Sequence, residues 1–177
     1  MVTIPLLKDI SKFNNTSDYL PIINGCVTAD LIIIFLVFHG VFRSKYLKKW
    51  YINFQLSAVL ADILILVIGI IIARFFYKYL FNEFNIWKFT GLAVVIQIIH
   101  DILFYLFFNS LPRGYNYMLD FFKDYAKEVG SGAIVGDSFM MIIACLLSSH
   151  FATYSLNSNI IILILSVYFF PYMINYI

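Results

Sequence analysis

Asp30, Asp62, Asp101 and Asp137 are the side chains most able to do chemistry, because each is set inside a long apolar run. A charge in hydrocarbon costs at least about 2.5–3.5 kcal/mol at the centre of a helix, so each must find a partner, water or a proton. His100 adjoins Asp101, and Gln97 lies one turn earlier on the same helical face. Asp and His exchange protons when burial and neighbours bring their pKa values together. The chemistry open to Asp62, Gln97, His100, Asp101 and Asp137 is a proton or cation path, or acid–base work on a lipid. The plainer alternative is a hydrogen-bonded knot that fixes helix register, with Asp protonated and donating like an alcohol.

Other chemistries lack their residues. The three histidines have no HxxxH spacing, so no metal site is expected. Ser138 beside Asp137 does not face it on a helix, and no GxSxG elbow is present. Cys26 and Cys145 are far apart in apolar runs and read as packed thiols. No cofactor is expected, and a catalytic residue cannot be named.

The elements that position these side chains follow from composition. The chain has 177 residues and is 62% hydrophobic and 12% charged. Soluble domains run about 45–50% apolar and about 25% charged. A chain this short has too little interior to hide such apolar surface from water, so the lipid bilayer is its natural solvent and partner. A net charge of +2 gives no reason to expect nucleic acid. A spanning helix needs about 20 apolar residues. Five runs approach that, at 21–42, 54–77, 86–109, 133–151 and 159–177. The last two are joined by ATYSLNSN and form either two full spans or a re-entrant hairpin. Residues 1–20 carry Lys8, Asp9, Lys12 and Asp18 and no apolar core, so the first span is expected to act as a retained signal anchor.

These bounds set depth. Asp62 lies eight residues past position 54 and Asp101 eight before 109. At 1.5 Å per residue both sit ~12 Å from the same membrane face, with Asp137 at ~6 Å. The convergence holds whichever face is cytoplasmic.

Arg43, Lys45, Lys48 and Lys49 beside Trp50 read as a basic loop at the cytoplasmic membrane surface. Between residues 115 and 129, Met118, Leu119, Phe122, Tyr125, Ala126 and Val129 recur at helical spacing. Asp120, Lys123, Asp124, Lys127 and Glu128 take the other side, as in an amphipathic helix lying along the membrane surface. Gly130 suits its C-cap. Gly132, Gly136, Met140, Ala144 and Ser148 then follow at four-residue steps. This small-residue face predicts close helix contact through Gly132, Gly136, Ala144 and Ser148. The same stretch is not a phosphate cradle, because no Gly-Lys-Ser/Thr follows.

The segments QIIHDILFY, LPRGYN, MLDFFKDYAKEVG and VGDSFMM, within residues 97–141, resemble uncharacterised multi-pass membrane proteins encoded by nucleocytoplasmic large DNA viruses of algae and protists. The resemblance covers about a quarter of the chain and brings no activity with it. It implies a setting, a viral internal membrane or the host endomembrane from which it derives, with capsid or other membrane proteins as partners.

The expected fold is all-α, a single polytopic transmembrane bundle of four or five spans with one interfacial helix. The leading functional expectation is a structural multi-pass membrane protein, with homo-oligomers among its partners. The alternative is a small channel or proton-coupled carrier using the Asp/His cluster. A third, a lipid-modifying enzyme, shares those residues but has no recognisable nucleophile.

Overall fold

A computed structural model describes residues 6–42 and 44–175. Among them are seven α-helices and no strand: α1 (Tyr19–Phe38), α2 (Lys45–Phe54), α3 (Leu56–Leu80), α4 (Ile86–Ser110), α5 (Tyr117–Val129), α6 (Gly132–Phe151) and α7 (Leu156–Ile174). A short 3-10 turn, Thr16–Asp18, leads into α1. Helices α1, α3, α4, α6 and α7 are long and apolar enough to cross a membrane. The last two runs are therefore two full-length helices joined by a tight turn. Ser155 begins α7 early by accepting the Ser158 N–H at 3.1 Å. The last two residues of the fifth expected span, 176–177, lie outside the described residues.

Two differences from the sequence expectation bear on the site. Helix α1 stops at Phe38, four residues before position 42. The expected basic loop is instead helix α2. Leu47, Trp50, Tyr51 and Phe54 are spaced along one helical face, and Lys45, Lys48 and Lys49 fall outside that stripe. Ser44 caps this helix by accepting the Leu47 N–H at 3.0 Å. The charges masked this apolar stripe. Arg43 lies outside the described residues.

Helices α1, α3, α4 and α6 form a ring in that order, closed by α6 against α1, and α7 leans on α1 from outside. The tightest contact is at Gly25 of α1. A methyl there would stand 2.2 Å from Ser148 Oγ, 2.6 Å from its backbone nitrogen and 2.8 Å from the Ala144 carbonyl. Only a residue without a side chain admits α6 so closely. Asn24 of α1 donates to the Asn159 carbonyl at 2.9 Å and to its Oδ1 at 2.8 Å, which pins α7. Apolar side chains such as Val95, Leu103, Ile161 and Leu165 point outward on α4 and α7, as lipid-facing surfaces require.

Each end of the ring is covered. At the end where α1 begins, the Lys8 N–H donates to the Ser149 carbonyl at 3.1 Å, and Ser149 Oγ donates back to the Lys8 carbonyl at 2.6 Å. Arg74, fully buried in α3, donates to the carbonyls of Lys12 and Asn15 and stands 3.5 Å from Asp18. At the other end, α2 and α5 lie across the bundle as a cap.

Candidate functional site

The cap is built from aromatic side chains. Phe121 of α5 has its ring centroid 5.1 Å from Phe54 and 5.8 Å from Trp50, both on α2. Phe122 reaches Trp50 at 4.9 Å and Phe104 of α4 at 5.1 Å. The apolar face of α5, expected on the membrane surface, thus packs on α2 and α4. Lys123, expected on its polar side, is buried because its Nζ donates to the Leu111 carbonyl at the end of α4. Arg113 holds Asp124 at 2.6 Å and keeps that carboxyl below its usual range, chiefly through their hydrogen bond. Gly130 ends α5 with φ +55°, a conformation that suits glycine. The two cap helices are joined at Glu128, whose carboxylate accepts the N–H groups of Lys45 at 3.1 Å and Tyr46 at 2.9 Å. An anion there also suits the N-terminus of α2.

Beneath the cap the four aspartates occupy similar depths. Asp62 is six residues into α3, Asp101 nine before the end of α4, and Asp137 five into α6. These offsets correspond to ~9, ~13 and ~7 Å of helical rise. Asp30 joins them, because the earlier stop of α1 leaves it eight residues from the helix end, or ~12 Å. The His-Gly pair at 39–40, where α1 turns, is the sequence signal that marks this bound.

Two side chains of α2 hang from the cap into the acids. Tyr51 donates to Asp30 Oδ1 at 3.1 Å, and Trp50 Nε1 donates to Asp62 Oδ2 at 3.0 Å. Asp30 and Tyr51 are buried, and Asp30 Oδ2 has no hydrogen-bond partner among the described residues. Burial, and after it the charges of Asp30 and Asp62, push the Tyr51 hydroxyl well above the usual tyrosine range.

Two cavities open under the cap. The larger, of about 570 Å³, lies between the ends of α1 and α6 and is lined by Trp50, Tyr51, Asp62, Phe121, Gly136 and Asp137 among others. The smaller, of about 400 Å³, lies between α4, α5 and α6 and is lined by Asp101, Phe104, Tyr125, Ser131 and Asp137 among others. Asp137, Tyr125 and Phe122 belong to both walls. Burial raises the Tyr125 hydroxyl above its usual range, and Asp137, Asp62 and Asp101 add to the shift in that order. Tyr125 therefore stands within electrostatic reach of all three acids. Asp137 makes no side-chain hydrogen bond to the described residues, unlike Asp62 and Asp101.

The remaining expected residues separate. Gln97 is buried and donates to Asp101 Oδ1 at 2.8 Å. His100 Nδ1 is 3.2 Å from the same oxygen, but its side chain is 39% exposed and lines neither cavity. Its ring follows the outer side of α4, stacked against Phe104. Ala144 and Ser148 meet α1 at Gly25. The close approach expected at Gly132 and Gly136 is not there. A methyl on Gly136 would meet nothing within 4 Å, and one on Gly132 only Val129, at 3.2 Å. These glycines line the larger cavity instead. Trp50, Tyr51 and Tyr125 were not legible as site residues, because the α2 segment reads as a loop and Tyr125 as one more apolar position. Among the described residues no three His, Cys, Asp or Glu side chains are placed to hold a metal ion.

Five apolar helices of spanning length, with outward-facing aliphatic flanks, define an integral multi-pass membrane protein of the all-α class. No protein-family model, curated protein or solved structure matches the chain.

Proposed function

We propose that this protein is a small proton-coupled carrier whose working site is the acidic cluster beneath the α2–α5 cap. The observation that carries this is Asp137. A knot that only fixed register would bond its members to one another, whereas Asp137 faces two cavities without a hydrogen bond to the described residues. An isolated carboxylate in hydrocarbon is unfavourable, by at least about 2.5–3.5 kcal/mol at the centre of a helix. Asp137 is therefore stable when protonated or when a cation lies against it, and exchanges one state for the other. Asp62 and Asp101 flank it from the two cavities. Purified protein in liposomes loaded with a pH-sensitive dye tests this under an imposed potassium diffusion potential. Proton flux above that of protein-free liposomes is expected, and Asp137→Asn abolishes it with the thermal melt retained. Flux no greater than in empty liposomes overturns the proposal.

A structural role is the second reading, favoured by the cap itself. Lys45, Lys48, Lys127 and Glu128 are exposed on its outer side, where a partner protein has access to them. With the resemblance to large-DNA-virus membrane proteins, this favours a viral internal membrane under a capsid. Fractionation of purified virions is the test where the source is a virus, and absence from the particle membrane sinks it.

A further inference from the structure

We propose that the larger cavity binds a hydrophobic organic cation of quaternary ammonium or phosphonium type, which enters sideways from the membrane. The proposal rests on the acidic site described above and names what competes with the proton there.

The cavity's wall chemistry selects the ligand. Trp50, Phe121, Phe122 and Tyr125 present aromatic rings, and Asp62 and Asp137 present carboxyls. Aromatic faces attract cations that carry little hydration, and the attraction grows as water is excluded. A small inorganic cation demands several oxygen ligands, and the lining is mostly carbon. A bulky cation with a carbon shell needs only the rings and a counter-charge. At about 570 Å³ the space is of small-molecule size.

Charge complementarity has two layers. Among the described residues no Lys, Arg or His lines the cavity. Behind Tyr51 in its wall stands Asp30, buried, with Oδ2 unpartnered among the described residues. Among the described residues its carboxyl is bonded to Tyr51 alone.

The route follows from the rim. Val41, Val135 and Phe139 line the cavity and are 62%, 69% and 45% exposed. These are apolar side chains near the cap level of a membrane protein, so the mouth faces the lipid flank between α1 and α6. Gly132 and Gly136 line this gap, and a methyl at Gly136 would project into unoccupied space.

The two tryptophans of the chain are Trp50 and Trp87. Trp87 is exposed at the opposite end of the bundle, so Trp87→Phe leaves Trp50 as the sole indole reporter. Titration of this protein in nanodiscs with tetraphenylphosphonium is expected to change Trp50 fluorescence saturably. Triphenylphosphine oxide, neutral and similar in shape, is expected to give no saturable change. Asp137→Asn should weaken binding about tenfold or more, as loss of a buried charge partner does. Gly136→Phe should block it with every carboxyl retained, and circular dichroism melts check that both variants fold. Equal binding of the neutral compound overturns the proposal with no variant needed, as does binding unchanged in both variants. Proton flux in liposomes without saturable tetraphenylphosphonium binding overturns this inference and leaves the carrier proposal standing. Saturable binding without flux does the reverse.

Discussion

Tyr51 of α2 donates a hydrogen bond to Asp30 of α1 at 3.1 Å, with both side chains buried. This bond couples the cap to the one acid of the site that α1 supplies. Tyr51→Phe keeps the ring in place and removes the donor. A buried acceptor left without its partner costs about 1–3 kcal/mol, so a lowered melting temperature and faster hydrogen exchange in α2 are expected. The pH dependence has a definite sign. The folded protein holds the Tyr51 proton more tightly than the unfolded chain does. The bond's contribution is whole below the usual tyrosine value of about 10 and declines as pH rises beyond it. A melting curve followed from pH 8 to 11 should fall less steeply for Tyr51→Phe, and parallel curves contradict the assignment.

Gly25 and Gly136 respond oppositely to alanine. Gly25→Ala drives a methyl into the Ser148 backbone and should destabilise by about 1–3 kcal/mol or more. Gly136→Ala meets open space and should stabilise α6 by roughly 0.5–1 kcal/mol, the ordinary gain of replacing a mid-helix glycine. Detergent unfolding of the two variants side by side decides it, and equal effects contradict the difference in their surroundings.

Gln55 joins α2 to α3 with φ 46° and ψ −123°, a backbone region that disfavours residues with a Cβ. Its side chain is exposed. Gln55→Gly should therefore raise stability by about 1 kcal/mol, visible as a higher melting temperature with proton flux unchanged. A lower melting temperature shows that the joint is unstrained.

Arg74 anchors the opposite end. It is fully buried with Asp18 and two backbone carbonyls. Arg74→Met leaves Asp18 buried without its nearest positive partner and should cost about 3–5 kcal/mol. Limited proteolysis is expected to cut between residues 6 and 15 in the variant and not in the parent. Arg74→Lys should rescue only partly, because one ammonium cannot reproduce the forked guanidinium.

Legibility followed the physics of each feature. Five apolar runs, their order and the approximate depths of Asp62, Asp101 and Asp137 were available from residue spacing, whereas the last two runs read either as two helices or as a re-entrant hairpin. Bilayer thickness and helical rise are constants, so counting residues locates a side chain along the membrane normal. Rotation and tilt about that normal are set by neighbouring helices, and these decided the rest. His100 shares a helix and a depth with Asp101 yet faces outward, and Asp30 entered the site only because α1 turned early. Lys45, Lys48 and Lys49 suggested a loop, while the stripe Leu47, Trp50, Tyr51 and Phe54 needed the bundle end and Glu128 to settle it as a lid. The run from Gly132 to Ser148 stated where a backbone could approach. Spacing on one helix cannot say which of its small residues finds a partner. Gly25 supplied one at Ala144 and Ser148, whereas the packing of the cap over the bundle left Gly132 and Gly136 lining a cavity.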